Sequence, residues 1–175
     1  LEILEQCPEV GSVYVPVSGG GRIAGGSAAI KNVRPSVCVV GVEPAGAPKL
    51  TTSLRAGAPA TLAAVSTIAD GLMAVRPGDL PFAHVREFVD RVVTVEDAAI
   101  VEAMRVLFRD GKVVAEPSGA ITTAAALADA ASPSGWSGGV AVREGAPMVG
   151  RGPAVAVISG GNVEAKRFFE LVGGG

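Results

Sequence analysis

A serine, three consecutive glycines and an arginine, Ser18-Gly19-Gly20-Gly21-Arg22, form the stretch of this chain that is best suited to chemistry. The apolar run Val13-Tyr14-Val15-Pro16-Val17 precedes it, and a helical pattern that starts at Ile23 follows at once. Glycine allows close backbone approach and a positive φ, so several N–H groups can point at one cluster of oxygens. The helix start adds unpaired N–H donors and the positive end of the helix dipole. The spacing therefore predicts a phosphate-binding loop.

Other interpretations of the same glycines stay open. A dinucleotide fingerprint needs Gly-x-Gly-x-x-Gly and an acidic residue about 20 positions further on. Gly19, Gly21 and Ala24 match that pattern only loosely, with Glu43 at roughly the required distance. A Rossmann-type nucleotide binder is therefore a weaker alternative, and a tight strand-to-helix turn without a ligand is another. No Gly-Lys-Ser or Gly-Lys-Thr follows, which argues against a P-loop.

Five segments, in the same order along the chain, resemble pyridoxal-phosphate enzymes of the tryptophan synthase β type (fold type II). They resemble most the branch that contains the threonine dehydratases and serine racemases. The segments are Val15-Pro16-Val17-Ser18-Gly19-Gly20-Gly21, Gly41-Val42-Glu43-Pro44, Thr67-Ile68-Ala69-Asp70-Gly71-Leu72, Glu116-Pro117-Ser118-Gly119-Ala120 and Ser159-Gly160-Gly161-Asn162. The resemblance extends over nearly the whole chain and is weakest from Ser132 to Arg151.

The resemblance implies pyridoxal 5'-phosphate as the cofactor, and it implies a role for each matching residue. Backbone N–H groups of Ser18 to Arg22 would hold the phosphate, and the Ser159 hydroxyl would meet the pyridine nitrogen. Glu116 would lie beside the ring, while Asp70 and Gly71 would face the cofactor. The expected cofactor-binding residues are Ser18, Gly19, Gly20, Gly21, Arg22, Asp70, Gly71, Glu116 and Ser159.

Several of these residues also have plain structural interpretations. Ser159 could belong to an ordinary turn at a strand end, and Glu116 could be a carboxylate at a helix N-terminus. Asp70 and Gly71 could form a simple turn. Asn162 is expected to cap or tighten the last turn, with a ligand-facing role as the alternative. Arg22 stands where the family usually has Leu or Met, which leaves its N–H available but could alter the pocket.

A metal site is not expected. Some family members bind a divalent cation through residues that match Glu43, the carbonyl of Ala47 and an acidic residue two positions further on. Here that last position is Lys49, so Glu43 and Ala47 are only weak candidates and Glu43 is expected to pair with Lys49. His84 lies among apolar residues of a short predicted helix, and we expect a surface or hydrogen-bonded histidine rather than a catalyst.

The Schiff-base lysine of the family lies in an N-terminal Ser-x-Lys-x-Arg-Gly-Ala segment, which this sequence does not contain. We therefore expect the C-terminal portion of a catalytic domain: a fragment, a split subunit or a partially determined chain. The function implied is that of an L-threonine or L-serine ammonia-lyase, which releases a 2-oxo acid and ammonia. A serine racemase-like enzyme and a catalytically inert phosphate-binding or cofactor-binding domain are the alternatives.

The composition predicts one domain of the α/β class. The 175 residues are 49% hydrophobic but only 4% aromatic, so Ala and Val provide most of the apolar content, as in a parallel sheet covered by helices. A net charge of −2 without a basic stripe argues against nucleic acid and membrane partners. Cys7 and Cys38 are too few for a disulfide framework or zinc set, and Cys38 should be buried. We expect a cytoplasmic location, an amino-acid substrate, the N-terminal half or a separate subunit as a partner, and a homo-oligomer.

The coarse pattern is a mainly parallel sheet flanked by helices. The predicted helices are Leu1 to Gln6, Arg22 to Asn32, Lys49 to Ala56, Phe82 to Val89, a helix after Val95, Gly119 to Ala131 and Val163 to Leu171; the predicted strands are Ser12 to Val17, Ser36 to Val42, Arg91 to Val95, Val113 to Val114 and Ala154 to Ile158. Thr94 is the expected N-cap of the helix after Val95, with Asp97 completing a capping box. Residues Ser132 to Gly152 are expected to form a loop.

Overall fold

A computed structural model describes residues 1–132, 139–143 and 150–174 of the chain. Its helices are α1 (Glu2–Gln6), α2 (Gly21–Val33), α3 (Lys49–Ala56), α4 (Asp79–Phe88), α5 (Asp97–Arg109), α6 (Pro117–Ala130) and α7 (Ala165–Gly173), with a one-turn 3₁₀ helix at Asp70–Leu72. Its strands are β1 (Ser12–Pro16), β2 (Cys38–Pro44), β3 (Arg91–Val95), β4 (Gly139–Ala141) and β5 (Ala154–Ala156).

The five strands form one mixed sheet in the order β4-β3-β2-β1-β5. The pairs β5–β1, β1–β2 and β2–β3 are parallel, and β4 runs antiparallel to β3 at the edge. In register, Val15 of β1 lies opposite Gly41 of β2, and Val42 of β2 lies opposite Val93 of β3. The predicted α/β class with a mainly parallel sheet is confirmed. The carboxyl ends of the four parallel strands all lie at the same end of the sheet.

The apolar core lies on both faces of the sheet, because every residue of β1 and β2 is buried. On one face α5 and α6 contribute Ile100, Met104 and Ile121 to the core. On the other face α2 and α4 contribute Ile23 and Phe82. Uninterrupted valine-rich runs with helices on both sides are typical of buried parallel strands. No helix among the described residues is long and apolar enough to cross a membrane.

Three local predictions are wrong. Thr94 does not cap α5: it belongs to β3, and Glu96 is the N-cap. Residues Val113 and Val114 pair with no strand of the described sheet and are 36% and 50% exposed, so their β-branched side chains alone do not place them in the sheet. The predicted loop from Ser132 to Gly152 contains β4, while its residues 133–138 and 144–149 lie outside the described residues.

Helices α4 and α6 begin earlier than predicted, and proline explains both differences. The predicted start of α4 lies just after Pro81, whereas Pro81 is the third residue of the helix. Pro117 is the first residue of α6. The first N–H groups of a helix have no intrahelical acceptor, so a proline in the first turn removes no hydrogen bond.

The two cysteines should differ strongly in reactivity. Cys38 is fully buried in β2, and burial raises the pKa of its thiol to about 11, whereas Cys7 at the end of α1 is partly exposed. Because the thiolate is the nucleophile, an alkylating reagent at neutral pH should modify Cys7 first and reach Cys38 only after denaturant is added. Mass spectrometry of the native and unfolded chain, with Cys7→Ser as control, measures this. Equal rates in the native chain would contradict the burial of Cys38.

Candidate functional site

The glycine loop connects the carboxyl end of β1 to the first turn of α2. Gly20 is the N-cap of α2 and has a φ of 96°, in the left-handed region that favours glycine. This residue turns the chain from the strand direction into the helix. A Cβ built at Gly19 or Gly21 would meet nothing within 4 Å, so the loop is open toward a cavity.

The amides of this loop point to an anion site. Among the described residues, no group accepts a hydrogen bond from the N–H of residues 18–22, while the preceding N–H of Val17 bonds to Val42 O at 2.8 Å. Of these residues Gly20 is buried and Ser18 is half-buried, whereas Gly19, Gly21 and Arg22 are exposed. Consecutive N–H donors at the N-terminus of a 13-residue helix, which is the positive end of its dipole, are well suited to bind an anion.

The opposite wall of the cavity is built where α6 begins and the 3₁₀ helix passes. Ser118, only 3% exposed, accepts a hydrogen bond through Oγ from the N–H of Gly71 at 2.9 Å. The same Oγ lies 3.5 Å from Oδ1 of Asp70. This contact fixes the 3₁₀ helix against the first turn of α6.

The turn after β5 supplies the third side of the cavity. The N–H of Glu116 donates to the carbonyl of Gly160 at 3.1 Å, and the Glu116 carboxylate accepts from the N–H of Asn162, also at 3.1 Å. A Cβ at Gly160 would collide with the Glu116 carboxylate, and one at Gly119 would collide with the Gly160 carbonyl. The clash at Gly119 is with backbone, so glycine is required there, whereas a side chain at Gly160 would displace the Glu116 carboxylate. These contacts hold the turn that contains Ser159 at the cavity.

These three walls enclose a cavity of about 250 Å³. Its lining residues are Pro16, Ser18, Gly19, Gly20, Gly21, Arg22, Gly71, Leu72, Glu116, Ser118 and Ser159. The geometry thus brings together all of the expected site residues except Asp70. The triple glycine and Ser159 lie on the same side of the sheet, as parallel strand ends at one edge require.

Asp70 lies at a neighbouring depression rather than in this cavity. That depression is lined by Asp70, Glu116, Asn162 and Arg167, among others, so Glu116 separates the two spaces. Asn162, expected to cap or tighten the last turn, donates its backbone N–H to the Glu116 carboxylate, and the N-cap of α7 is Glu164 instead. His84 is half-buried, with Nδ1 3.0 Å from the carbonyl of Leu80, and does not line the cavity.

Sequence reasoning missed Pro16, Leu72 and Ser118 as lining residues. Ser118 lies inside the Glu116-Pro117-Ser118-Gly119-Ala120 segment, so its position in that motif was the available signal. Leu72 similarly follows Asp70 and Gly71 directly. Both face the cavity only because segments far apart in the chain pack together, which the sequence alone does not reveal.

The predicted ion pair of Glu43 with Lys49 is confirmed, with Nζ 3.8 Å from Oε2 and both side chains fully buried. The Glu43 carboxylate also accepts hydrogen bonds from the N–H groups of Leu50 and Thr51, at 2.9 and 2.7 Å, at the start of α3. Burial raises the pKa of the Glu43 carboxyl and lowers the pKa of the Lys49 amine. Glu43 is thus engaged inside the protein and cannot contact a ribose, as the dinucleotide alternative requires.

No group of three or more His, Cys, Asp or Glu side chains within the described ranges is arranged to hold a metal ion. The carbonyl of Ala47, the other weak metal candidate, accepts a hydrogen bond from Lys49 Nζ at 3.2 Å. The lysine ammonium therefore contacts the oxygens that the resemblance associated with a cation.

Fold and site together define an α/β protein with a glycine loop at the carboxyl ends of parallel strands, whose amides have no acceptor among the described residues. Residues 1–143 match the model of a family described as pyridoxal-phosphate dependent enzyme. The chain belongs to this family of pyridoxal-phosphate-dependent enzymes.

Individual relatives agree with this assignment. The chain is 47% identical over 129 residues to a serine racemase of Oryza sativa subsp. indica, which covers 74% of this chain and 38% of the relative. It is 37% identical over 175 residues to an L-threonine ammonia-lyase of Thermotoga maritima, covering 100% of this chain and 39% of the relative. A solved structure of maize serine racemase superimposes with a TM-score of 0.80 at 40% identity, covering 97% of this chain and 48% of the maize chain. The chain thus spans less than half the length of each of these relatives.

Proposed function

We propose that this chain is the cofactor-binding, C-terminal portion of a pyridoxal-phosphate-dependent ammonia-lyase that acts on L-threonine or L-serine. The observation that carries the proposal is the run of five N–H groups, residues 18–22, that have no acceptor in the part of the chain that the structure describes, in a cavity that Ser159 and Glu116 also line. The relative that aligns with all 175 residues bears the name L-threonine ammonia-lyase, which supports this substrate class.

The residues of the cavity fit the cofactor. The amides of residues 18–22 provide donors for a phosphate, and the missing side chains of Gly19 and Gly21 leave room for it. Ser159 would accept or donate one hydrogen bond at the pyridine nitrogen, and Glu116, fixed by the N–H of Asn162, would stay beside the ring. The Schiff-base lysine would come from an N-terminal portion or a separate subunit. When bound, the cofactor withdraws electrons from the α-carbon of the amino acid.

Ser159 would determine how strongly the ring withdraws electrons. A hydroxyl cannot keep a pyridine nitrogen protonated as a carboxylate can, because its own pKa lies far above neutrality. The nitrogen would then carry no full positive charge. This arrangement favours prompt loss of the β-hydroxyl over long storage of charge at the α-carbon, as an ammonia-lyase requires.

A serine racemase is the second candidate, because the relative with 47% identity bears that name. The residue that would add a proton to the opposite face of the amino acid lies in the N-terminal portion in our proposal, so the chain is compatible with both reactions. An inert domain that binds phosphate without catalysis is the third candidate. We further propose a cytoplasmic location, since two cysteines are too few for the disulfide framework of a small secreted protein. A homo-oligomer is proposed from the resemblance to the family alone.

Binding and activity measurements separate these candidates. The 175-residue chain should bind inorganic phosphate and pyridoxal phosphate but not NAD, which calorimetry measures directly. Joined with an N-terminal portion that contains the lysine segment, it should release a 2-oxo acid and ammonia from L-threonine or L-serine. Formation of D-serine as the main product would establish the racemase, and binding without either product would establish the inert domain. Retention of NAD would overturn the cofactor assignment.

Replacement of Ser159 by alanine should separate ring binding from phosphate binding. The variant should bind inorganic phosphate as the unchanged chain does, because the amides of residues 18–22 remain. Its affinity for pyridoxal phosphate should fall by about two- to tenfold, the effect of one lost hydrogen bond of about 0.5–1.5 kcal/mol. Calorimetric titration with both ligands measures the difference. An equal loss for both ligands would show that Ser159 supports the loop rather than the ring.

A further inference from the structure

Lys49 has the most unusual surroundings of any charged side chain near the cavity. Its ammonium is fully buried and donates to three backbone carbonyls, those of Val17 at 2.9 Å, Ala47 at 3.2 Å and Leu72 at 2.9 Å. The Glu43 carboxylate lies 3.8 Å away. Burying an ammonium is costly unless it is paired and hydrogen bonded. Four oxygens from separate segments meet that requirement here.

The three carbonyls belong to the segments that form the cavity. Val17 directly precedes Ser18 of the glycine loop, and Leu72 is a lining residue at the end of the 3₁₀ helix. Ala47 lies in the turn between β2 and α3. One ammonium therefore ties the base of the glycine loop to the wall that faces it, and the Glu43 carboxylate balances its charge while capping α3.

The arrangement is that of an oxygen cage around a small cation. Backbone carbonyls and carboxylates are the donors that hard cations prefer in proteins. In this chain the cation is attached covalently, at the end of a side chain that starts on α3 itself. A tethered cation does not dissociate, and it has no entropy cost of capture from solution.

We propose that Lys49 is a positioning residue that serves as a built-in cation, fixing the glycine loop against the 3₁₀ helix so that anion binding needs no dissolved cation. It follows that removal of the side chain leaves a cage of four oxygens that takes a small ammonium ion or alkylammonium ion. The inference rests on the proposed function only in treating the glycine loop as an anion site.

Lys31 provides a matched control. Its ammonium is also buried, donates to the carbonyls of Val37 at 2.7 Å and Pro35 at 3.1 Å, and lies 2.6 Å from the Asp90 carboxylate. It lies at the amino end of β2, whereas the cavity lies at the carboxyl edge of the sheet. Lys31→Ala should therefore reduce stability as Lys49→Ala does, without acting on the cavity.

The experiment measures thermal unfolding and calorimetric affinity for inorganic phosphate at constant ionic strength. The unchanged chain should bind phosphate equally in sodium, potassium, ammonium and magnesium chloride. Lys49→Ala should lose about tenfold or more in phosphate affinity, since a charged hydrogen-bonding group is removed beneath the loop. n-Propylammonium, which replaces the deleted atoms, should restore affinity and melting temperature, whereas tetramethylammonium, which cannot donate hydrogen bonds, should not. Lys31→Ala should keep its affinity within about twofold, because its ammonium lies away from the anion site.

Three results would overturn the inference. They are a requirement of the unchanged chain for potassium, ammonium or magnesium, full phosphate affinity in Lys49→Ala, and an equal loss in Lys31→Ala. If neither alanine variant folds, the inference is tested with Lys49→Met, which keeps the side-chain volume and removes the charge, and with the cation series on the wild-type chain. If the wild-type chain binds no phosphate in any salt, the proposed function is refuted instead. The oxygen cage around Lys49 can then still be tested, because n-propylammonium should raise the melting temperature of Lys49→Ala.

Discussion

Aspartate in place of Gly21 should abolish phosphate binding while leaving the chain at least as stable as before. Gly21 is the first residue of α2, and a Cβ there would meet no atom within 4 Å. An acidic residue in the first turn stabilises a helix by about 0.3–1 kcal/mol, and α2 has none. The same carboxylate would occupy the amides that bind the phosphate and repel it by about 1–4 kcal/mol per unit charge. The affinity of Gly21→Asp for phosphate should therefore fall about tenfold or more, while its free energy of unfolding stays the same or rises.

Gly25→Asp is the matched control for this prediction. Gly25 lies one turn further along α2, its Cβ would also be in open space, and it does not line the cavity. Gly25→Asp should change phosphate affinity by less than about twofold, since the new carboxylate is exposed to solvent and screened. Gly20→Asp is a less clean test, because the left-handed φ of 96° and a contact of 3.0 Å with Cβ of Pro81 would add strain. Phosphate calorimetry and urea unfolding check both effects, and unchanged affinity in Gly21→Asp would refute the anion loop.

The central strands could be predicted from sequence because their signal is local. The valine-rich runs of β1 and β2 are apolar on both faces, which is typical of strands covered by helices on each side. A parallel pair with a helical crossover then fixes which ends of the strands share an edge. The meeting of the glycine loop with Ser159 follows from that topology, since each follows a parallel strand directly. This much of the site could be predicted from the order of the residues alone.

The parts that could not be predicted depend on contacts between distant segments. Two β-branched residues at 113 and 114 have strand propensity, but they pair with no strand of the described sheet, and a local preference does not specify a partner strand. The contact of Ser118 with Gly71 joins residues 47 positions apart. The Lys49 cage needs three carbonyls from separate segments, and a backbone carbonyl carries no signature of its direction in the sequence. The ion pair of Glu43 with Lys49 was predictable because it joins two charged side chains only six positions apart.

Alanine in place of Asp129 should cause a severe loss of stability. The Asp129 carboxylate, near the end of α6, accepts a hydrogen bond from the Tyr14 hydroxyl at 2.6 Å and forms an ion pair with Arg91. Tyr14 and Arg91 belong to β1 and β3, and each is 1% exposed. Removing one partner of a buried pair leaves an uncompensated charge, which costs about 3–5 kcal/mol. Urea unfolding should show a loss of that size.

Asp110→Ala is the control for the buried pair, because it deletes the same side chain from an exposed ion pair with Arg109 whose members are 57% and 68% exposed. Exposed pairs contribute about 0–1 kcal/mol, so this variant should remain close to the unchanged chain. Asp129→Asn keeps a hydrogen-bond acceptor for Tyr14, so its free energy of unfolding should lie between those of Asp129→Ala and Asp110→Ala. Asp129 lies 12 residues after Pro117 in α6, roughly 18 Å along the helix from the cavity. The folded fraction of Asp129→Ala should therefore keep its phosphate affinity, and a loss of both stability and affinity would show that this cluster also holds the first turn of α6 at the site.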